Sequence, residues 1–185
     1  MQRNRPLILV LSLALIAPAA LPAAVAGQAR LTQVEALRLA FPPPLEVERR
    51  TAYMNETQLN RATELAGSPV TQGVVNYYVA LERGRITGVA YFDSHRVRTH
   101  GEVLMFVVAP DATIRRVEVL QFAEPPDYEP PGRWLGLFRG KRLTDDLSIK
   151  RAIPNMSGAT LTAHAVTAAA RRVLALHAVI RPVAG

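Results

Sequence analysis

Val103-Leu104-Met105-Phe106-Val107-Val108-Ala109, then Pro110-Asp111-Ala112-Thr113, then Ile114-Arg115-Arg116-Val117-Glu118-Val119-Leu120-Gln121-Phe122 is the stretch that decides the fold. Its first part has no polar residue and is short, so it reads as a strand buried on both faces. Pro-Asp turns the chain, and the third part runs back as a second strand. A connection this short joins antiparallel neighbours. Upstream, Val75, Tyr77, Val79 and Leu81 fall on one face of a period-two pattern within Val70 to Leu81. Glu82-Arg83-Gly84-Arg85 is a turn, and Ile86 to Phe92 returns as the next strand. The expected sheet is antiparallel, a meander or a curled sheet.

Helices flank this sheet. Leu31 to Phe41 places Val34, Leu37, Leu39 and Phe41 near helical spacing, and Pro42-Pro43-Pro44 stops it. Asn55 to Leu65 is a second helix, with Asn55 or Thr57 as its cap and Gly67-Ser68-Pro69 as its end. After the sheet comes a Pro-rich loop, Glu124 to Gly132, and then a short amphipathic piece, Trp134 to Phe138. The last element runs from about Gly158 to Val179, with Val166, Ala169, Ala170, Val173, Leu174 and Leu176 on its buried face. Helices, a sheet and a closing helix make an α+β pattern.

The N-terminal residues read as an address. Arg3 and Arg5 precede an apolar run from Leu7 to Ile16, Pro18 and Pro22 break it, and Ala24-Val25-Ala26 offers a small-x-small cleavage site. Residues 1–26 are therefore expected to be a signal peptide, with 27–185 a single domain exported to the periplasm. The run is short for a spanning helix, so no transmembrane span is expected in the mature protein. Removing the signal takes away two Arg and lowers the formal charge of +7 to +5. These charges are spread along the chain without the clustered, aromatic-interleaved stripe of a nucleic-acid binder. The chain has no Cys, which excludes disulfides, Cys-ligated iron–sulfur clusters and c-type haem attachment. Any electron transfer here requires an organic cofactor.

Ser157-Gly158-Ala159-Thr160-Leu161-Thr162 opens the last helix. A helix start exposes N–H groups and the positive end of the dipole, which favour an anionic group such as phosphate. Ser157 reads equally well as an ordinary cap bonding back to the Thr160 N–H. The run resembles the flavin-attachment motif of the FMN-binding domain family, whose members include the C subunit of sodium-pumping NADH:quinone oxidoreductase and the G subunit of the Rnf complex. The resemblance extends from about Thr99 to Leu176. It includes the strand pair with its Pro-Asp turn, Glu124-Pro125-Pro126 where relatives have Glu-Thr-Pro-Gly, and Phe138-Arg139-Gly140-Lys141, which is similar to the family's Phe-x-Gly-Lys. The run from Glu124 to Trp134 is closer to a small periplasmic branch than to the large pump subunits. Where the family usually has an acidic residue three positions before the Ser, this chain has Pro154.

The resemblance implies FMN carried on Thr160 through a phosphoester bond, installed from FAD by a flavin transferase. Gly158 and Ala159 would keep the approach to that hydroxyl open, and Ser157 would cap the helix and donate to phosphate. Thr162 is either a phosphate or ribityl contact or a helix-surface residue. Lys141 either pairs with phosphate or a ring carbonyl, or is solvated. Glu124 either bonds a flavin group from its stiff loop or stands in solvent. Trp134 and Tyr128 either cover the isoalloxazine ring or belong to the core.

No two of the four His have the helical i, i+4 spacing of a metal site, and no Ser-His-Asp arrangement can be argued. The histidines read as incidental, and the chain reads as a carrier rather than an enzyme. The function expected is an exported flavoprotein electron carrier working with another exported redox protein or a membrane electron-transfer subunit. The alternative is an interaction module of the same fold that holds no flavin or binds FMN reversibly.

Overall fold

In the computed structural model, the described residues are 31–183. The signal-peptide expectation for residues 1–26 lies outside them. In chain order the elements are α1 (Gln33–Ala40), β1 (Glu46–Tyr53), α2 (Glu56–Ala66), β2 (Val74–Glu82), β3 (Arg85–Val97), β4 (His100–Val108), β5 (Ile114–Phe122), a single helical turn α3 (Gly132–Leu135), and α4 (Thr160–Ile180). Short 3-10 turns at Pro126–Tyr128 and Gly136–Phe138 lie on either side of α3.

The five strands form one open antiparallel meander in the order β1-β2-β3-β4-β5. β1 is the strand the sequence pattern does not show. Glu46-Val47-Glu48-Arg49-Arg50-Thr51-Ala52-Tyr53 has no apolar alternation, because as an edge strand it leaves most of its side chains in water. Its charges also protect the edge from pairing with another chain. Its register, Glu46 opposite Leu81 through Tyr53 opposite Val74, continues the hairpin series. β4 behaves as its composition requires, with Leu104 to Val108 fully buried. Beyond Tyr91, β3 pairs with β4 alone.

Each face of the sheet buries its own core. On one face α2 and α4 pack over Val79, Tyr91, Leu104, Phe106 and Val117. On the other, α1 brings Ala36, Leu37 and Phe41 onto Ala80, Ala90, Met105, Val107 and Leu120. Both N-terminal helices open with reciprocal capping boxes, Thr32 with Glu35 and Asn55 with Gln58. Gly67, at φ 67°, closes α2 in the left-handed region where a Cβ is penalised.

Phe41 also explains a glycine inside β3. A Cβ on Gly88 would lie 2.9 Å from Phe41 Cε1, in a core where Phe41 is 2% exposed. The flat residue lets the ring lie on the strand. Gly88→Ala is therefore expected to destabilise the fold by about 1–3 kcal/mol through overpacking. The expected readout is a lower urea midpoint at unchanged m-value; an unchanged midpoint would mean that the ring slides aside without cost.

Among the described residues, no helix is long and apolar enough to cross a membrane.

Candidate functional site

The last helix starts two residues later than its composition suggests. Gly158 has φ 80°, and the Ala159 N–H closes a turn onto Met156 O at 3.2 Å. This left-handed step turns the chain before the helix axis is set, so α4 begins at Thr160 with Ala159 as its cap residue. Ser157 is left exposed and makes no capping bond, which corrects the expected Ser157-to-Thr160 cap. Ala163 N–H is the first to bond within the helix, to Ala159 O at 3.0 Å. The N–H groups of Thr160, Leu161 and Thr162 therefore have no intrahelical acceptor.

These groups border a hollow of about 220 Å³ lined by Val97, Arg98, Glu124, Tyr128 and Gly158 through Thr162. The end of β3 supplies Val97, the β3–β4 turn Arg98, and the segment after β5 supplies Glu124 and Tyr128. Two of the walls are braced. Glu124 Oε1 accepts from the Thr99 and His100 N–H groups at 3.4 and 3.2 Å, with His100 Nδ1 also 3.4 Å away. Desolvation opposes the charge on Glu124, but these donors outweigh it and hold the carboxyl below its ordinary range. The Arg98 guanidinium lies 5.7 Å from the centroid of the Tyr128 ring.

The hydroxyl of Thr160 is held in place. Asn155 Nδ2 donates to Thr160 Oγ1 at 3.1 Å, while Asn155 Oδ1 accepts from the Met156 N–H at 3.0 Å. Behind this loop Trp134 is buried, donates Nε1–H to Pro154 O at 2.9 Å and meets Phe138 edge-on at 5.3 Å. Trp134 therefore supports the motif loop from behind. It does not line the hollow. Lys141 is also elsewhere: its carbonyl accepts from the Ile114 N–H at 2.9 Å, at the opposite end of β5. Thr162 lines the hollow as a buried residue, 1% exposed, rather than as a helix-surface one.

Two consecutive arginines fix α4 over the sheet. Arg171 donates to Ala66 O (2.8 Å), Leu65 O (3.1 Å) and Thr144 O (2.7 Å), taking up carbonyls at the end of α2 and in the loop that leads to the motif. Arg172 clasps Asp93 with two bonds, 3.1 and 2.7 Å. Asp93 in turn meets His95 Nδ1 at 2.8 Å, and His95 Nε2 meets Glu102 at 2.9 Å. Asp93, His95 and the hollow-lining Val97 follow one another on the same face of β3. Sequence alone gave no sign of this cluster, because Arg172 is 79 residues from Asp93 and only the β3–β4 pairing and the crossing of α4 bring the four together. Arg98 and Asn155 were also missed, since neither has a distinctive neighbour pattern. Among the described residues there is no group of three or more His, Cys, Asp or Glu suited to a metal ion.

Two of the histidines are buried with opposite charge preferences. Burial works against the charge on His95, but the hydrogen bonds its ring donates to Asp93 and Glu102 outweigh it and raise the imidazole to about 9. Glu102, fully buried with Oε1 lacking a partner, is pushed up by burial. His177 Nδ1 lies 3.1 Å from the Tyr91 hydroxyl, and burial pushes His177 down to about 4. The two titrations act at opposite ends of the pH range. His95, raised when folded, contributes stability that is complete below about 6.5 and lost as pH rises through about 9. His177, depressed when folded, costs stability progressively as pH falls from about 6.5 to about 4. Glu102 opposes His177 over part of that acid range, so the clean measurement is a difference. His177→Gln is expected to lose the acid component, narrowing the gap to wild type in chemical denaturation as pH falls from 6.5 to 4. A constant gap would show that His177 does not titrate there.

Residues 99–175 match the family model described as the FMN-binding domain. That span begins in the β3–β4 turn and ends within α4, so it contains every wall of the hollow except Val97 and Arg98. A search of curated proteins returns no match.

Proposed function

For this chain, which belongs to the FMN-binding domain family through residues 99–175, we propose the role of an exported flavoprotein electron carrier, with FMN held through a phosphoester bond to Thr160 Oγ1. The observation that carries the proposal is the place of that hydroxyl. It stands on the first residue of α4, exposed, oriented by Asn155 and bordering a hollow edged by uncapped N–H groups.

The residues present fit a phosphate. The N–H groups of Thr160, Leu161 and Thr162 and the helix dipole favour a negative charge at this spot. Gly158 leaves the approach open, since a Cβ there would meet nothing within 4 Å. Arg98, also lining the hollow, adds a positive charge. Glu124 is an acid in the same hollow, but its Oε1 is already taken up by the Thr99 and His100 N–H groups. The volume is below the roughly 300 Å³ at which small-molecule pockets usually begin, which suits a seat for the phosphate-bearing end and a ring left accessible.

When bound, FMN supplies the electron-transfer chemistry that these side chains lack. The chain contributes attachment, orientation and charge. Forming the ester replaces the Thr160 O–H bond with an O–P bond, with FAD as donor, AMP as leaving group and the proton released. A tether prevents loss of the cofactor by dilution and removes the entropy cost of rebinding. The proposed partners are a flavin transferase and a periplasmic or membrane redox protein.

A second reading is a module of the same fold that is flavin-free or binds FMN reversibly. It is favoured by Pro154, which stands where the resembling motif usually has an acidic residue. Export of the protein in cells expressing a periplasmic flavin transferase separates the readings. Flavin that survives boiling in denaturant, seen by in-gel fluorescence and intact mass, supports the tethered carrier. Colour released by boiling indicates reversible binding. No flavin, with the transferase active on a known target, leaves the interaction module.

A further inference from the structure

The net positive charge of the domain is concentrated at one end of the sheet, and this is the end away from the hollow. Around the start of β5 stand Arg115, Arg116, Arg139, Lys141 and Arg142, and the β2–β3 turn adds Arg83 and Arg85. Three of them, Arg115, Arg116 and Arg139, surround a hollow of about 310 Å³. Arg115 reaches across the sheet to donate to Thr87 O at 2.7 Å, which places the two groups beside one another. The acidic residues of this end are Glu46, Glu82, Asp111 and Glu118. Glu118 pairs with Arg116, and Asp111 with Arg142 at 2.9 Å. Among the described residues, the salt bridges engage none of Arg83, Arg85, Arg115, Arg139 and Lys141. Two apolar side chains of neighbouring segments are exposed. Leu39, 51% exposed, has a carbonyl that accepts from Arg116, and Leu137, 39% exposed, lies two residues before Arg139.

We infer that this end of the sheet docks on an anionic phospholipid surface. Each Lys or Arg held near such a surface adds electrostatic attraction to its anionic lipids, and guanidinium suits phosphate by bidentate bonding. The broad layout and the flanking leucines fit a headgroup layer better than a single acidic peptide, which would need a shaped cleft. β5 has nine residues and spans about 27 Å, so a chain landed on this end holds the Thr160 hollow on its far side, facing solution. The inference is independent of whether flavin is attached.

The test is co-sedimentation of the exported form, residues 27–185, with vesicles of equal parts phosphatidylcholine and phosphatidylglycerol, and with vesicles of phosphatidylcholine alone. Arg115→Glu/Arg139→Glu is compared with Arg49→Glu/Arg61→Glu, which makes the same charge change at exposed sites elsewhere, and thermal melts confirm folding of both. The expected result is salt-sensitive binding to the mixed vesicles that falls at least about tenfold in the first variant and not in the second. The inference is overturned by no binding to mixed vesicles, by equal binding to phosphatidylcholine alone, or by equal loss in both variants. Capture on immobilised polyglutamate without vesicle binding overturns it in favour of an acidic protein partner.

Discussion

Thr160→Ala is expected to emerge from flavin-transferase-expressing cells with no denaturation-resistant flavin at all, while wild type carries one. The effect is all-or-none because the substitution deletes the only atom proposed to form the bond. It should also leave the fold alone. Thr160 is exposed, and Ala is well tolerated at the start of a helix, so the stability change is expected to stay within about 0.5 kcal/mol. Thr160→Ser keeps the hydroxyl and is expected to retain flavin. Asn155→Ala removes the amide that orients Oγ1 and is expected to reduce the loaded fraction without abolishing it. The decisive readout is intact mass under denaturing conditions. Flavin still attached to the Ala variant would move the linkage to another residue and end the Thr160 assignment.

The largest loss of stability is expected from Arg172→Ala. Arg172 and Asp93 are mostly buried, at 20% and 12% side-chain exposure, and Arg172 is the second cation of a cluster that also holds His95 and Glu102. Removing the guanidinium leaves three groups sharing too little positive charge, with Asp93 short of two donors. Breaking a buried pair from one side costs about 3 kcal/mol or more. For a domain of this size that lowers the melting temperature by roughly 10 °C. Arg172→Lys is expected to recover part of the loss, since it restores charge without the two-pronged geometry. A melting temperature within about 2 °C of wild type in the Ala variant, roughly a fifth of the expected drop, would mean that water replaces the arginine at little cost.

The sheet from β2 to β5 was legible because its strands bury whole faces, and burial imposes apolar alternation or continuous apolar runs. β1 was not legible, since an edge strand in water has no such constraint. The helix boundaries were readable where a cap residue or a proline run marked them, as at Asn55 and Pro42. They were misread at α4, where the left-handed Gly158 offsets Ser157 from the helix and no local pattern distinguishes this from a capped start. Within the site, the motif and Glu124 were found through the resemblance. Trp134 and Lys141 lay in resembling stretches too, but their roles were assigned by chemical suitability, and the structure puts one behind the motif loop and the other at the far end of β5. The Asp93–His95–Glu102–Arg172 cluster was invisible, because sequence spacing has no information about which strand and helix cross.

The exposed position of Thr160 has a consequence for the order of maturation. The hydroxyl is at the surface, ahead of a helix whose later turns are buried and clamped by Arg171 and Arg172. A modifying enzyme can reach it without opening the core. On the proposed attachment, loading would follow folding, and the unloaded form would be a folded precursor able to wait for its cofactor.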